Sequence, residues 1–199
     1  MRIIIYMTIN MDTVSRKSAH NARVRARVLD AAAREIREKG LRGASIDTIM
    51  GSADLTRGAF YAHFASKAAL FEAVLREAHP LLRQLADIPD DDLDALLKLF
   101  RDYLAPGHLS RVKRGCTLAS LSSDAGRGTD TQRRALGDAR SAMLAEMARA
   151  TGGKIDAWRL DAALTLASGA VLSAQADNHP PRQARLLDAA YRAFVTLLA

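Results

Sequence analysis

The chain has few of the residues that bend, cross-link or interrupt a polypeptide. Its 199 residues include five prolines, twelve glycines and a single cysteine, Cys116. One cysteine excludes an intramolecular disulfide and suits a reducing compartment, so we expect a cytoplasmic protein. Aromatic residues make up only 5% of the chain, and no apolar run reaches the roughly 20 residues needed to span a bilayer. With 49% hydrophobic and 26% charged residues, the composition predicts a soluble, all-α protein with no membrane partner.

Basic residues are unevenly distributed along the chain. The net charge is +7; residues 1–85 carry 14 Lys and Arg against 8 Asp and Glu, whereas residues 86–199 carry 15 against 14. Residues 15–27 hold five cations and no acid, which is typical of an arm that reaches DNA, although a solvated tail has the same composition. A cationic excess in one half of a chain is the electrostatic footprint of a phosphate-binding surface.

The first ten residues, MRIIIYMTIN, contain one arginine and a short apolar patch but no small-residue cleavage site. They are too abruptly polar for a secretory signal. We interpret residues 1–20 as a disordered or basic N-terminal arm, with Met7 and Met11 as alternative starts.

Residues 45–64, SIDTIMGSADLTRGAFYAHF, predict two short helices joined by a turn. Ser45 is expected to cap the first helix, because its hydroxyl can accept a bond from an unpaired backbone N–H. Asp54 tolerates the left-handed conformation of a tight turn. Thr56 is expected to cap the second helix, which is predicted over residues 57–63, and Ser66 is expected to cap the helix that follows.

The second predicted helix has an inner and an outer face. Phe60 and Phe64 are spaced i and i+4 and are predicted to face the core. The outer face then carries one cation, two small residues and two rings with polar tips: Arg57, Gly58, Ala59, Tyr61 and His63. This is the arrangement expected of a helix-turn-helix whose second helix enters a DNA major groove.

The string S-I-x-x-I-x-x-x-A-x-L-T-x-G-x-F-Y-x-H-F-x-S-K-x-x-L at residues 45–70 resembles the N-terminal domain of TetR/AcrR-type transcriptional regulators. The resemblance covers residues 23–75. The chain departs from the family pattern at Asp54, where Gly is usual, at Met50, where Ala is usual, and at Ala62, where a larger group is common. The resemblance implies an N-terminal three-helix helix-turn-helix DNA-binding domain and a C-terminal helical domain that binds a ligand and dimerises.

The acidic, turn-prone DIPDDD at residues 87–92 suggests a domain boundary, so we assign residues 21–86 to the DNA-binding domain and 87–199 to the C-terminal domain. Helix 1 is predicted over residues 21–39, with Gly40 as its C-cap. Further helices are predicted over residues 93–104, 108–123, 130–150, 155–175 and 182–198. The resemblance implies that the last two pair with their copies in a homodimer; ordinary intrachain packing is the alternative.

Nine residues are candidates for contact with double-stranded DNA. Tyr61 and Lys67 suit phosphate oxygens. Arg57 suits the O6 and N7 atoms of a guanine, a contact worth ~1–3 kcal/mol of discrimination. The alternative interpretation of Tyr61 is a half-buried aromatic residue with its hydroxyl in water. The alternative for Arg57 is a solvated cation. The full set is Ser45, Thr48, Thr56, Arg57, Gly58, Ala59, Tyr61, His63 and Lys67.

The C-terminal helices contain large side chains that suit a pocket for an unknown small-molecule effector. The candidates are Phe100, Tyr103, Leu104, Cys116, Leu121, Met143, Met147 and Trp158. Each of them suits an ordinary core equally well.

Cys116 follows the cations Arg111, Lys113 and Arg114, which would lower its pKa if the thiol faced them. Some members of the family that the chain resembles use a cysteine here to sense electrophiles or oxidants. The alternative is a small buried hydrophobe. A cysteine-dependent enzyme would need a nearby base, and His108 is poorly placed for that role, so we predict no enzyme and no catalytic residue.

The five histidines lack metal-ligand spacing and the chain has no phosphate-binding glycine loop, so no metal or cofactor is expected. The sequence therefore predicts a ligand-responsive repressor that binds a palindromic operator as a homodimer. The alternatives are a thiol-based sensor of the same fold and a helical interaction module with no DNA role.

Overall fold

The computed structural model describes residues 2–109 and 116–199, with side chains from residue 18 onward. All regular structure in these ranges is helical, which confirms the all-α class. The helices are α1 (Arg2–Gly43), α2 (Ile46–Ser52), α3 (Arg57–Phe60), α4 (Lys67–Glu77), α5 (Pro80–Ala86), α6 (Leu93–Tyr103), α7 (Pro106–Leu109), α8 (Thr117–Gly126), α9 (Asp130–Ala150), α10 (Ala157–Gln175) and α11 (Pro180–Leu198).

Helix α1 begins at Arg2, well before the predicted start at residue 21. The sequence between residues 2 and 39 contains no proline or glycine, so nothing in it stops a helix. The side chains of Arg16 and Lys17, part of the predicted basic arm, lie outside the described residues. The predicted break at Gly40 is confirmed, since this glycine has φ 69° and interrupts the helical backbone.

Two groups of buried side chains form the core. The N-terminal cluster joins α1 to α4 and extends to Leu121, Ala125 and Ala135 of α8 and α9. The C-terminal cluster runs from Leu81 to Leu198 and includes Phe100 and Phe194, whose rings stack with centroids 4.2 Å apart. The two clusters divide between Ala78 and Leu81, and the boundary assigned to residue 87 remains a prediction.

The chain turns sharply between α4 and α5. Helix α4 ends at Glu77 and α5 starts with Pro80 in its first turn, where proline loses no helical hydrogen bond. His79 precedes the proline and is buried, with Nε2 bonded to the carbonyl of Leu75. The Thr117 hydroxyl donates to the carbonyl of Ala78. This α4–α5 joint is therefore held from α8, a helix of the C-terminal part.

The C-terminal helices follow the predicted boundaries closely in most places. The capping box of Thr129 and Gln132 starts α9, and the predicted 130–150 helix has the same limits. The helix predicted over residues 108–123 was wrong, because Pro106–Leu109 is a short helix and a second one begins at Thr117. Helices α10 and α11 pack as an antiparallel pair at the C-terminus.

Candidate nucleic-acid interface

The turn between α2 and α3 is fixed by local hydrogen bonds. The Ser45 hydroxyl accepts from the backbone N–H of Thr48 at 3.0 Å, so the predicted N-cap is confirmed. Asp54 adopts φ 51°, which confirms that it supplies the left-handed turn. Leu55 N–H then donates to the carbonyl of Met50 at 2.9 Å.

Arg27 secures the same turn from α1. Its guanidinium donates to the carbonyl of Ala53 at 2.5 Å and lies 3.4 Å from a carboxylate oxygen of Asp54. This contact joins residues 26 positions apart, so the local sequence around Arg27 could not predict it. The sequence placed Arg27 in an arm that reaches DNA, whereas the structure places its head group on the turn.

Helix α3 is shorter than predicted. It ends at Phe60, and the chain continues as a turn in which the N–H groups of His63 and Phe64 bond the Phe60 carbonyl. Thr56 occupies the N-cap position with extended backbone angles, but its side chain makes no capping hydrogen bond. The Thr56 hydroxyl is thus not committed to the cap that the sequence predicted.

The inner and outer faces of α3 separate as the spacing predicted. Phe60 and Phe64 are buried, with ring centroids 5.8 Å apart. Tyr61 packs the edge of its ring against Phe60 at 5.1 Å, yet 59% of its surface is exposed. A large aromatic residue is therefore anchored against Phe60 and leaves more than half of its surface in solvent, beside the Arg57 guanidinium.

The nine candidate DNA contacts share one exposed region at the start of α2, along α3 and at the start of α4. The structure leaves each of them exposed or partly exposed: Ser45, Thr48, Thr56, Arg57, Gly58, Ala59, Tyr61, His63 and Lys67. Their contact with DNA remains a prediction.

Arg57 is held by an acidic partner on α2. Its Nη1 lies 2.6 Å from an oxygen of Asp47, and both side chains are exposed. The hydrogen bond and charge of Asp47, followed by the nearby Tyr61, raise the pKa of the Arg57 guanidinium. Asp47 did not figure among the sequence candidates, although Asp47 and Arg57 flank the turn.

Gly58 has no intramolecular neighbour that would require a glycine. A Cβ atom built on it would meet only the Thr56 hydroxyl, at 4.0 Å. Its φ is outside the left-handed region that favours glycine. Glycine weakens a helix by roughly 0.5–1 kcal/mol relative to alanine, so folding alone gives no reason for this residue.

Helix α4 is positioned against α1 by a bidentate ion pair. Arg25 donates to the two carboxylate oxygens of Glu77 at 2.5 and 2.7 Å, and its guanidinium lies 5.4 Å from the centroid of the Phe64 ring. The hydrogen bond from Arg25 lowers the pKa of Glu77. The Ser66 hydroxyl accepts from Ala69 N–H at 3.1 Å, which confirms the predicted cap beside Lys67.

The predicted ligand-pocket residues do not come together in one place. Phe100, Leu104, Met143 and Met147 are packed in the C-terminal cluster, and Leu121 belongs to the N-terminal cluster. Trp158 is 65% exposed on α10, because it lies in the first turn of that helix, on its outer side. Tyr103 and Cys116 line a cavity between α1, α5 and α6.

Cys116 is buried beside Tyr103. Burial raises the pKa of its thiol, and the neighbouring Tyr103 hydroxyl and backbone N–H groups only partly oppose this. A raised pKa disfavours the reactive thiolate, so these observations favour the interpretation as a small buried hydrophobe. Arg111, Lys113 and Arg114, which the sensor hypothesis used, lie outside the described residues.

The outer faces of α10 and α11 expose apolar groups. Leu172 is 50% exposed and Leu186 is 38% exposed, on the same antiparallel pair that carries Trp158. A Cβ added to Gly169 would meet nothing within 4 Å, so the backbone of α10 is open to close approach there.

Residues 2–109 and 116–199 include no helix that is both long and apolar enough to cross a membrane. Within the same ranges, no three His, Cys, Asp or Glu side chains gather as metal ligands would.

Comparison with known proteins identifies the N-terminal part of the chain. Residues 28–74 match the family model described as "Bacterial regulatory proteins, tetR family". The chain is 40% identical over 70 residues to the uncharacterized HTH-type transcriptional regulator TtgW of Pseudomonas putida. That match covers 34% of this chain and 52% of TtgW, so it spans about half the length of this curated relative.

Solved structures share the fold over most of the chain. The reduced form of E. coli NemR superposes with a TM-score of 0.70 at 19% identity, covering 87% of this chain and 95% of NemR. The multidrug binding protein EbrR, complexed with proflavin, gives 0.57 at 24% identity, covering 85% and 99%. The N-terminal helix-turn-helix followed by a helical C-terminal part is thus confirmed, and its residues 28–74 match the tetR family of bacterial regulatory proteins.

Proposed function

We propose that this protein is a repressor that binds a palindromic operator as a homodimer and releases it when a small molecule binds the C-terminal part. The observation that carries the proposal is the outer face of α3. Gly58 there has no packing reason to be glycine, and Tyr61 keeps most of its ring in solvent. Gly58 weakens the helix and Tyr61 exposes an aromatic ring to solvent. Both features would be useful if another molecule packed closely against this face of α3.

The chemistry of this face fits a DNA major groove. Tyr61 and Lys67 offer a phenol and an ammonium to phosphates on either side of α3, and the Ser45 and Thr48 hydroxyls lie at the start of α2. His63 suits the same phosphate backbone. Thr56 has a hydroxyl that its own helix does not use.

Arg57 supplies the contact that would read a base. Its guanidinium has five N–H donors, so it can keep one edge on Asp47 while another edge faces guanine O6 and N7. Asp47 would then orient the guanidinium rather than compete with DNA. Replacing Asp47 with asparagine should loosen base preference less than replacing Arg57 with alanine.

Dimerisation would place two α3 helices on two half-sites. The exposed side chains Leu172 and Leu186, with the open backbone at Gly169, suit a four-helix contact between two α10–α11 pairs. Helix-turn-helix dimers read half-sites about one DNA turn apart, which requires this kind of fixed spacing. An effector that changes the spacing would be coupled to DNA binding by typically ~1–3 kcal/mol.

The test is selection of a binding site from random duplex DNA, followed by fluorescence anisotropy with the selected site. We expect Tyr61→Ala and Lys67→Ala to weaken binding to every sequence, and Lys67→Ala, which removes a positive charge, to reduce the salt slope as well. Arg57→Ala should relax the preference at one base step. Lys98→Ala, which removes an exposed cation from α6, is the matched control and should leave both the affinity and the base preference unchanged.

Three outcomes would contradict the proposal. The selection would return no preferred sequence if the chain were an interaction module without a DNA role. Equal salt slopes for Lys67→Ala and Lys98→Ala would remove the start of α4 from the DNA interface, and unchanged affinity of both Tyr61→Ala and Arg57→Ala would remove α3. Light scattering tests the dimer: the double variant Leu172→Asp, Leu186→Asp should have half the mass of the wild-type protein.

A further inference from the structure

A cavity lies where the DNA-binding domain meets the C-terminal part. It has a volume of about 760 Å³, within the usual size range of small-molecule sites. Residues of α1, the α4–α5 joint, α5 and α6 line it, together with Cys116 before α8. A ligand in this cavity would therefore touch the helix that supports the helix-turn-helix and the helices that form the C-terminal cluster.

One side of the cavity carries guanidinium groups. Arg34 and Arg37 project from successive turns of α1, and Arg83 lines the cavity from α5. Asp30 lies 3.8 Å from Arg83. Burial lowers the pKa of Arg37 to about 10; the charges of Arg34 and Arg83 lower it further, and the charge of Asp30 opposes them. Three cations and one nearby carboxylate therefore meet at this part of the cavity, and an anionic group would be attracted to them.

Apolar side chains and a buried phenol also line the cavity, together with the carboxylate of Asp102. Leu81, Leu99 and Pro80 form part of this apolar lining. Tyr103 is 4% exposed, and its hydroxyl lies beside the Cys116 thiol and the Ser168 hydroxyl. Its ring therefore offers the cavity an apolar face.

We propose that this cavity binds a small organic anion, with its carboxylate or sulfonate on Arg37, Arg34 and Arg83, and its apolar body toward Tyr103. The inference that the anion is the effector rests on the proposed function. The inference that the cavity binds an anion depends only on the residues that line it.

The same arginine connects the cavity to the α4–α5 joint. Arg37 Nη1 lies 3.0 Å from the Thr117 hydroxyl, which in turn donates to the carbonyl of Ala78 at the end of α4. An anion bound to Arg37 would compete with the Thr117 hydroxyl for the N–H groups of the guanidinium. The hydrogen-bonded chain from α1 through α8 to α4 gives ligand binding a direct connection to the helix that follows the helix-turn-helix.

The test uses two fluorescent probes with the same aromatic rings. 8-Anilinonaphthalene-1-sulfonate carries an anionic group, and N-phenyl-1-naphthylamine lacks it. We expect the full-length protein to bind the sulfonate saturably, with one site per protomer and at least tenfold more tightly than the neutral amine. 2-Naphthoate should displace the sulfonate, whereas 2-naphthamide should not.

Three variants locate the site. Arg37→Gln should weaken binding of the sulfonate at least tenfold and leave binding of the neutral probe within twofold. Tyr103→Phe keeps the ring that faces the apolar body of the ligand and should leave binding of both probes within twofold. Arg134→Gln removes an exposed arginine from α9, away from the cavity, and should change nothing.

Equal affinity of the wild-type protein for both probes would overturn the proposal, and this result does not depend on any variant folding. An equal loss in Arg37→Gln and Arg134→Gln would overturn it as well, because binding would then follow surface charge. No DNA takes part in the titration. Failure of the DNA selection with normal probe binding would therefore refute only the proposed function, and the reverse result would refute only the anion site.

Discussion

Replacing Gly58 with alanine is expected to change folding stability and DNA affinity in opposite directions. The new methyl group would have only the Thr56 hydroxyl near it, at 4.0 Å, so nothing in the protein must move. Alanine at a helical position without strain stabilises a protein by about 0.4–1 kcal/mol, chiefly by restricting the unfolded chain. For a chain of this length that corresponds to a rise in the melting temperature of roughly 1–4 °C.

The effect on DNA binding follows from the position of the methyl group. It would project from the outer face of α3, where the backbone is proposed to approach the groove. Forcing an extra methyl group into a close-packed contact typically costs about 1–3 kcal/mol. The expected loss of affinity is therefore roughly 5- to 150-fold.

The assay measures both quantities on the same samples, by thermal unfolding and by fluorescence anisotropy with the selected duplex. Gly137→Ala is the matched control, because Gly137 is also exposed, lies within α9 and has no atom near its missing Cβ. The control should gain stability and keep its affinity. A Gly58→Ala protein that binds DNA as tightly as the wild type would refute the close approach of α3.

Three further sets of substitutions test other contacts. Burial lowers the pKa of His79 below its usual 6.5, so the unfolded state binds the proton more readily and stability should fall as pH decreases below about 7. His79→Gln should flatten this dependence in urea unfolding, and an unchanged slope would exclude the imidazole as its cause. A double-mutant cycle with Arg25→Ala and Glu77→Ala should give a coupling energy of about 0.2–1 kcal/mol, because both side chains are partly exposed; strict additivity would mean that the pair does not form. Phe100→Ala removes a fully buried ring that stacks on Phe194 and should cost about 3–5 kcal/mol by denaturant unfolding; a loss below 1 kcal/mol would contradict this packing.

Sequence patterns predicted the local features of the DNA-binding domain well. Ser45 and Ser66 cap their helices, and Asp54 takes the left-handed turn, because each of these roles involves atoms at most three residues away. The inward positions of Phe60 and Phe64 follow from helical spacing alone. The errors concerned helix limits and one cap. Helix α3 stops early, α1 begins at Arg2, the helix predicted over residues 108–123 is interrupted before Thr117, and the Thr56 side chain makes no capping bond.

The pocket residues show what spacing could not predict. Large apolar side chains in the C-terminal helices were expected to surround a ligand, yet Phe100 and Met143 fill the core and Trp158 faces solvent. The cavity instead lies beside α1, and its arginines belong to the segment that the sequence had assigned to the DNA-binding domain. Nothing in residues 30–37 alone indicates which C-terminal residues will face them.

The amino-acid sequence by itself determined the all-α class, the helix-turn-helix with its Ser45 cap, and the division of α3 into a buried and an exposed face. These features depend on backbone propensity and on contacts within one or two helical turns. Tertiary structure decided that Arg27 holds the turn, that Arg25 pairs with Glu77, and that Arg37 faces a cavity and connects to Thr117. These partners are 26 to 80 positions apart, so only the packing of α1 against the rest of the chain brings them together.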